Sequence, residues 1–220
     1  MPDIFDEVEE DLRAERMHQL LTRYAGVILA LALLAIGGVA GWQGWRWYEA
    51  RQDQRAAQTY VTAMLAAEAT GPSAASAHAR ADAAFKTLAH SAMPGYRTLA
   101  RLRSAALDAA DGHAAAALSL WNAVAADRDA DPLLRGLASL LWASRQLDAG
   151  DPELLAARLR PLAVPGGAWR HLAEEDLALL DLRQHHTAQA KRRLTALAGD
   201  MTTPDGLRQR AKALLADLNG

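Results

Sequence analysis

Residues 105–132 read AALDAADGHAAAALSLWNAVAADRDADP and contain one complete unit of the pattern that decides the fold. Ala105 is a small residue in a first helical stretch, and Gly112 marks the turn that follows it. The second stretch carries a small, a bulky and an apolar residue at helical spacing: Ala117, Trp121 and Val124. Pro132 then prevents this stretch from continuing. The segment therefore predicts a pair of helices joined by a short turn.

This triplet, in which the first residue is small or apolar, occurs four times along the chain. The copies are Ala81, Phe85 and Leu88; Ala117, Trp121 and Val124; Leu155, Leu159 and Leu162; and Ala190, Leu194 and Leu197, offset by 36, 38 and 35 residues. Twelve residues before each triplet stands an alanine that would let two helices touch: Ala69, Ala105, Ala143 and Ala178. This period is close to that of tetratricopeptide (TPR) repeats. We expect these alanines and the bulky Phe85, Trp121, Leu159 and Leu194 to pack the repeats together.

The rest of the chain agrees with an all-α fold. Segments of helical length rich in Ala, Leu and Arg lie between turn residues, and none shows the alternating β-branched pattern of strands. Prolines follow the second helix of each pair: Pro94, Pro132, Pro165 and Pro204. The last stretch, 203–218, has the pattern of a capping helix. We predict a TPR-like helical-hairpin solenoid; a generic helical bundle is the alternative, because an alanine-rich chain yields such triplets by chance.

Residues 25–42, AGVILALALLAIGGVAGW, are uncharged and nearly long enough to cross a hydrocarbon core of ~30 Å. Bases and aromatic rings suited to the headgroup region flank this segment: Arg23, Tyr24, Trp42, Trp45, Arg46, Trp47 and Tyr48. We predict an N-terminal single transmembrane helix at 25–45, between an acidic segment at 1–24 and a helical domain at 46–220. A buried core helix and a cleaved signal peptide are the alternatives. They are disfavoured because no polar stripe is present and the preceding residues are acidic.

Within this segment, Gly37 and Gly41 lie on one helix face, four residues apart. Such a pair lets a second transmembrane helix approach closely. Three arginines on each side of the segment balance each other, so the charges leave the orientation open.

Composition and motifs argue against several classes of function. The net charge is −2 with acids and bases mixed, which does not predict a nucleic-acid surface, and the absence of cysteine excludes disulfides and thiolate metal sites. His171 with Glu174 and Glu175 is interpreted as an exposed helix face, and His185 with His186 as a solvated loop. Because no catalytic, metal or phosphate motif is present, we expect no enzyme, no cofactor and no small-molecule substrate.

The chain resembles the YfgM-like family of ancillary SecYEG translocon subunits, particularly its alphaproteobacterial form. The resemblance rests on the opening DIFDEVEEDLR at 3–13, on LLTRY at 20–24, on the glycine-rich segment ending in Gly41-Trp42, and on the TPR-like domain behind it. It implies an inner-membrane protein in contact with lipid, with a cytoplasmic N-terminus and a periplasmic C-terminal domain. The implied partners are SecYEG subunits and a membrane-anchored periplasmic prolyl isomerase or chaperone.

The expected function is therefore that of a membrane-anchored adaptor that helps to hand translocated proteins to periplasmic chaperones. An envelope or cell-division scaffold with the same anchor and TPR-like module is the alternative. The acidic segment has an apolar face formed by Ile4, Val8 and Leu12, which suits either docking to a basic cytoplasmic partner or a solvated helix that only sets topology.

Overall fold

The computed structural model describes residues 4–219, with side chains described from residue 26 onward except at positions 28 and 32. Every regular element in this part of the chain is helical, which confirms the all-α prediction. The helices are α1 (Ile4–Ala67), α2 (Ala74–Ser91), α3 (Pro94–Ala110), α4 (Ala114–Ala126), α5 (Pro132–Ser144), α6 (Pro152–Leu159), α7 (Arg170–Arg183), α8 (Thr187–Gly199) and α9 (Asp205–Asp217). A short 3₁₀ helix, Arg160–Leu162, follows α6.

The chain divides into two compact units, Met1–Gln52 and Asp53–Gly220. The predicted limits 1–24, 25–45 and 46–220 remain predictions. Residues 1–3 of the acidic segment lie outside the described residues, as do the side chains at 4–24.

In the first unit, the apolar side chains that the structure describes are exposed. Trp42, Trp45 and Trp47 are each more than half exposed, and so are the aliphatic residues that precede them. The Arg51 guanidinium lies 3.9 Å from the centre of the Trp47 ring. Over the described residues, no helix combines the length and the apolar character that a membrane span requires. The predicted span also includes positions 25, 28 and 32, whose side chains lie outside the described residues.

The second unit is a stack of helical hairpins. The end of α1 pairs with α2, α3 with α4, α5 with α6, and α7 with α8, and each hairpin packs on the next. Helix α9 packs against α8 and α7, where Leu207 and Ala211 are buried. It covers the last hairpin as the sequence predicts for a capping helix.

Turn chemistry sets where the helices begin. Pro94 and Pro132 each occupy the first position of a helix, where the missing N–H is not needed. The carboxylate of Asp131 accepts a hydrogen bond from the backbone N–H of Leu133 at 2.7 Å and caps α5. These local signals separate one hairpin from the next.

The turn between α3 and α4 and the turn between α7 and α8 share the same left-handed geometry. Gly112 has φ +83° between α3 and α4, and His185 has φ +62° between α7 and α8. In both turns the next N–H donates to a carbonyl five residues back: His113 to Asp108 at 2.7 Å and His186 to Asp181 at 2.8 Å. Both His185 and His186 are exposed, as the sequence predicts. His185 therefore stands where glycine is usual.

Candidate binding surface

The bulky residues of the four triplets each lie in a different hydrophobic core. They are Phe85, Trp121, Leu159 and Leu194, and none is more than 4% exposed. Each core joins the helices of one hairpin to a neighbouring helix. The stack is therefore held together by contacts between neighbours in sequence.

Three of the predicted small residues are completely buried: Ala105, Ala143 and Ala178. The fourth, Ala69, lies beyond the end of α1, which stops at Ala67. The buried alanine near the end of this helix is Ala63, at 3% exposure. The connection 68–73 contains Gly71-Pro72, which ends the helix early, so the packing position lies six residues before the predicted one.

Helices α3, α5 and α7 each have two buried faces with a third face between them. In α3, Ala100 lies in the core with α1 and α2, whereas Leu102 and Ala105 lie in the core with α4 and α5. We call Ala105, Ala143 and Ala178 the packing alanines of α3, α5 and α7. At 100° per residue, three positions of each helix fall between its two buried faces. They lie six residues before the packing alanine, two residues before it and one residue after it. We call these positions the inner surface: Leu99, Arg103, Ala106, Leu137, Leu141, Ser144, Leu172, Asp176 and Leu179. All are half-buried except Asp176, which is buried.

The leucines of the inner surface were missed by the sequence analysis, although a signal for them exists. Leu99, Leu137 and Leu172 each stand six residues before a packing alanine, so they follow the same period as the triplets. Their partial exposure gives the stack an apolar strip along one side. Such a strip is suited to contact with another protein chain.

Asp176 places an acid in the middle of this strip. The Ser144 hydroxyl of α5 donates a hydrogen bond to its carboxylate, which shows that the inner faces of α5 and α7 meet. Burial raises the pKa of Asp176 to about 6, and the nearby Glu175 carboxylate also raises it, against the opposing effects of Ser144 and Arg210. The inner surface therefore contains an acid that titrates close to neutral pH.

The acids of α7 form ion pairs between helices. Glu175 is 7% exposed, and Arg210 of α9 donates to its two oxygens at 2.8 and 2.7 Å. Arg193 of α8 donates to Glu174 at 2.6 Å and to Asp181 at 3.0 Å. These pairs attach α7 to the two helices that follow it.

The interpretation of His171, Glu174 and Glu175 as an exposed face is therefore wrong. Helix α7 packs against α5, α6, α8 and α9, so its surface is covered on several sides. His171 is half-buried, and its Nε2 lies 3.5 Å from the Asp200 carboxylate. The pKa of Asp200 is lowered, chiefly because the hydroxyl and the N–H of Thr202 donate to it, and Arg170 pairs with it at 2.7 Å. The three residues serve packing between elements.

Two cavities flank α2. A groove of about 600 Å³ between α1 and α2 is lined mainly by alanine and threonine, with Arg80 at its edge. A second, of about 470 Å³, lies between α2 and the end of α3 and contains His78, Asp82 and Asp108. Over the described residues, no three His, Cys, Asp or Glu side chains come together in a way that could hold a metal ion.

Gly37 and Gly41, predicted to contact a second transmembrane helix, lie in the first unit. A Cβ atom added at either position would have no neighbour within 4 Å, so both positions are open. Their role stays a prediction.

No curated protein and no solved structure matches the chain. The sequence does match the family described as a tetratricopeptide repeat-like domain, over residues 19–157, which is more than half of its length. Repeats of this kind stack into extended surfaces that bind other proteins. Together with the stacked hairpins and their buried alanine positions, this match shows that the chain belongs to the tetratricopeptide repeat-like domain family.

Proposed function

We propose that this protein is a membrane-anchored adaptor of the Sec translocon that helps to hand translocated proteins to periplasmic chaperones by protein–protein binding. The observation that carries the binding role is the inner surface, where half-buried leucines recur with the repeat period on α3, α5 and α7. An apolar strip on a rigid stack offers a preformed site, so little ordering entropy opposes binding.

The membrane anchor is supported by the uncharged segment 25–42 and the three tryptophans that follow it. In the described part of this segment the aliphatic side chains are exposed, and contact with inner-membrane lipid would remove them from water. Trp42, Trp45 and Trp47 have the amphipathic rings that favour the headgroup region. The orientation, with the N-terminus cytoplasmic and the helical domain periplasmic, is supported by the resemblance to the YfgM-like family.

The partners proposed are SecYEG subunits and a membrane-anchored periplasmic prolyl isomerase or chaperone. The acidic opening at 3–13 and the glycine-rich segment support this choice through the same resemblance. Gly37 and Gly41 would let a helix of the channel approach closely, because neither carries a side chain.

The test is co-isolation of partners from membranes solubilised in mild detergent, with the full chain captured by a C-terminal tag. We expect Sec channel subunits and a periplasmic chaperone or isomerase to co-purify, and the channel subunits to be lost when Gly37 and Gly41 are replaced by leucine. Gly38→Leu is the matched control, because this position lies about 100° away from Gly37 around the helix.

Two results would contradict the proposal. If division or envelope proteins co-purify without Sec subunits, the scaffold hypothesis replaces the adaptor. If the protein is released from membranes by alkaline carbonate, which leaves integral proteins in the bilayer, the anchor is wrong.

A further inference from the structure

Of the two charged residues on the inner surface, Arg103 is the one without an ionic partner among the described side chains. Among the described side chains it forms no salt bridge, and its Nε is buried without a hydrogen-bond partner. By contrast, Asp176 is hydrogen-bonded by Ser144. A half-buried guanidinium without a partner has lost part of its hydration, so an anion that reaches it gains a strong charge-assisted contact.

Tyr60 of α1 lies within electrostatic range of this arginine. The Tyr60 ring is 6.1 Å from the ring of Tyr96, which stands seven residues before Arg103 on α3, so α1 and α3 pack together on this side. Burial raises the pKa of Tyr60, and the positive charge of Arg103 opposes this shift, so the guanidinium acts on the phenol. The Tyr60 hydroxyl donates to no acceptor among the described residues.

Apolar side chains flank the charge on both helices. Val61 is 56% exposed and stands two residues before Ala63, as Arg103 stands two residues before Ala105, so the two occupy matching positions on adjacent helices. Leu99 is half-buried one turn before Arg103 on α3. A ligand here meets a positive charge bordered by apolar surface.

We infer that this end of the inner surface binds a peptide segment with a carboxylate side chain next to apolar ones, and that Arg103 contacts the carboxylate. The inference rests on the proposed protein-binding role and adds the chemistry of the partner. Arginine suits this role because its planar group donates two parallel hydrogen bonds to a carboxylate. Segments that expose alternating acidic and apolar residues are the class of partner expected.

The experiment uses the full chain in detergent micelles and three fluorescein-labelled peptides: GSGLDLELDGSG, its amide counterpart GSGLNLQLNGSG, and the basic GSGLKLKLKGSG. Fluorescence anisotropy gives each Kd. We expect the acidic peptide to bind at least about tenfold more tightly than the amide peptide, as a charge-assisted hydrogen bond predicts. Arg103→Gln should remove this difference, and Arg103→Glu should make the basic peptide the preferred one.

Arg80→Gln, which removes an exposed arginine of α2, is the matched control and should leave the preference unchanged. The reversal with Arg103→Glu guards against misfolding, because an unfolded variant cannot acquire a new preference. The inference is overturned if the acidic peptide fails to bind, if it binds no better than the amide peptide, or if the preference survives Arg103→Gln. Co-isolation of Sec subunits is measured separately, so the two ideas fail independently.

Discussion

Asp176 lies on the inner surface with its carboxylate buried against α5. Its pKa of about 6 exceeds the ordinary value of 3.8, so the folded protein holds this proton more tightly than the unfolded chain does. The stabilisation that this bound proton gives to the folded state is complete below about pH 4 and is lost as the pH rises through about 6. We expect Asp176→Asn to raise the free energy of unfolding at pH 7.5 by about 1–3 kcal/mol, and to change it little at pH 4.

Urea unfolding followed by circular dichroism at both pH values checks this expectation. The exposed Asp148→Asn serves as the control. An Asp176→Asn variant that is equally stable or less stable than the wild type at pH 7.5 would show that the ionised carboxylate is well solvated or well paired.

His185 has φ +62°, a conformation that strains any residue with a Cβ. His185→Gly removes that strain, and we expect stability to rise by about 0.5–1 kcal/mol. Gly112→Ala at the equivalent turn introduces the same strain at φ +83° and should lower stability by about 1 kcal/mol. Thermal unfolding of the two variants measures both effects; a loss of stability in His185→Gly would mean that the imidazole makes a contact worth more than the backbone strain.

At the scale of helices, Gly136 lets the segment before α7 lie against α5. A Cβ at this position would lie 2.9 Å from Cδ1 of Trp169, whose indole N–H donates to the Leu133 carbonyl at 2.9 Å. Alanine normally stabilises a helix interior relative to glycine, but here we expect Gly136→Ala to lower stability by about 1–3 kcal/mol. Gly206→Ala in α9 is the control, because a Cβ there meets no atom within 4 Å. The explanation fails if both substitutions change the unfolding midpoint alike.

Glu175 of α7, which forms an ion pair with Arg210 of α9, stands at a position that is apolar in other hairpins. Glu175 stands three residues before its packing alanine, where α3 and α5 have the buried Leu102 and Leu140. Arg210→Ala leaves this carboxylate without its partner and should cost about 1–2 kcal/mol, reduced from a fully buried case because Arg210 is 58% exposed. Adding Glu175→Leu should restore most of the loss. Urea unfolding of the single and double variants measures both effects. If the double variant is as stable as the wild type, the ion pair only compensates for the cost of burying the Glu175 carboxylate.

The sequence predicted those parts of the fold that short-range patterns determine. Helical spacing and proline positions indicated the hairpins, and Phe85 and Trp121 lie in two of the cores. Ala69 did not fall in the helix because the length of a Gly-Pro connection cannot be read from composition. The burial of Glu175 depends on Arg210, which is 35 residues away, and no local pattern connects the two. Arg103 became a candidate only because the fold leaves it half-buried, with its Nε unpaired among the described residues.

At the scale of the helical unit, each core cluster joins neighbouring hairpins only, so stability should be distributed along the stack. Leu207 of α9 is 5% exposed, and Leu207→Ala should loosen the end of the stack nearest to it. We expect amide hydrogen exchange to accelerate in α8 and α9 and to change little in α2 and α3. Leu88→Ala, at 6% exposure in the first core, should produce the opposite distribution. If exchange accelerates equally in all helices for both variants, the hairpins unfold as one cooperative unit. A partner bound to the inner surface would then stabilise the whole stack rather than only the hairpins that it touches.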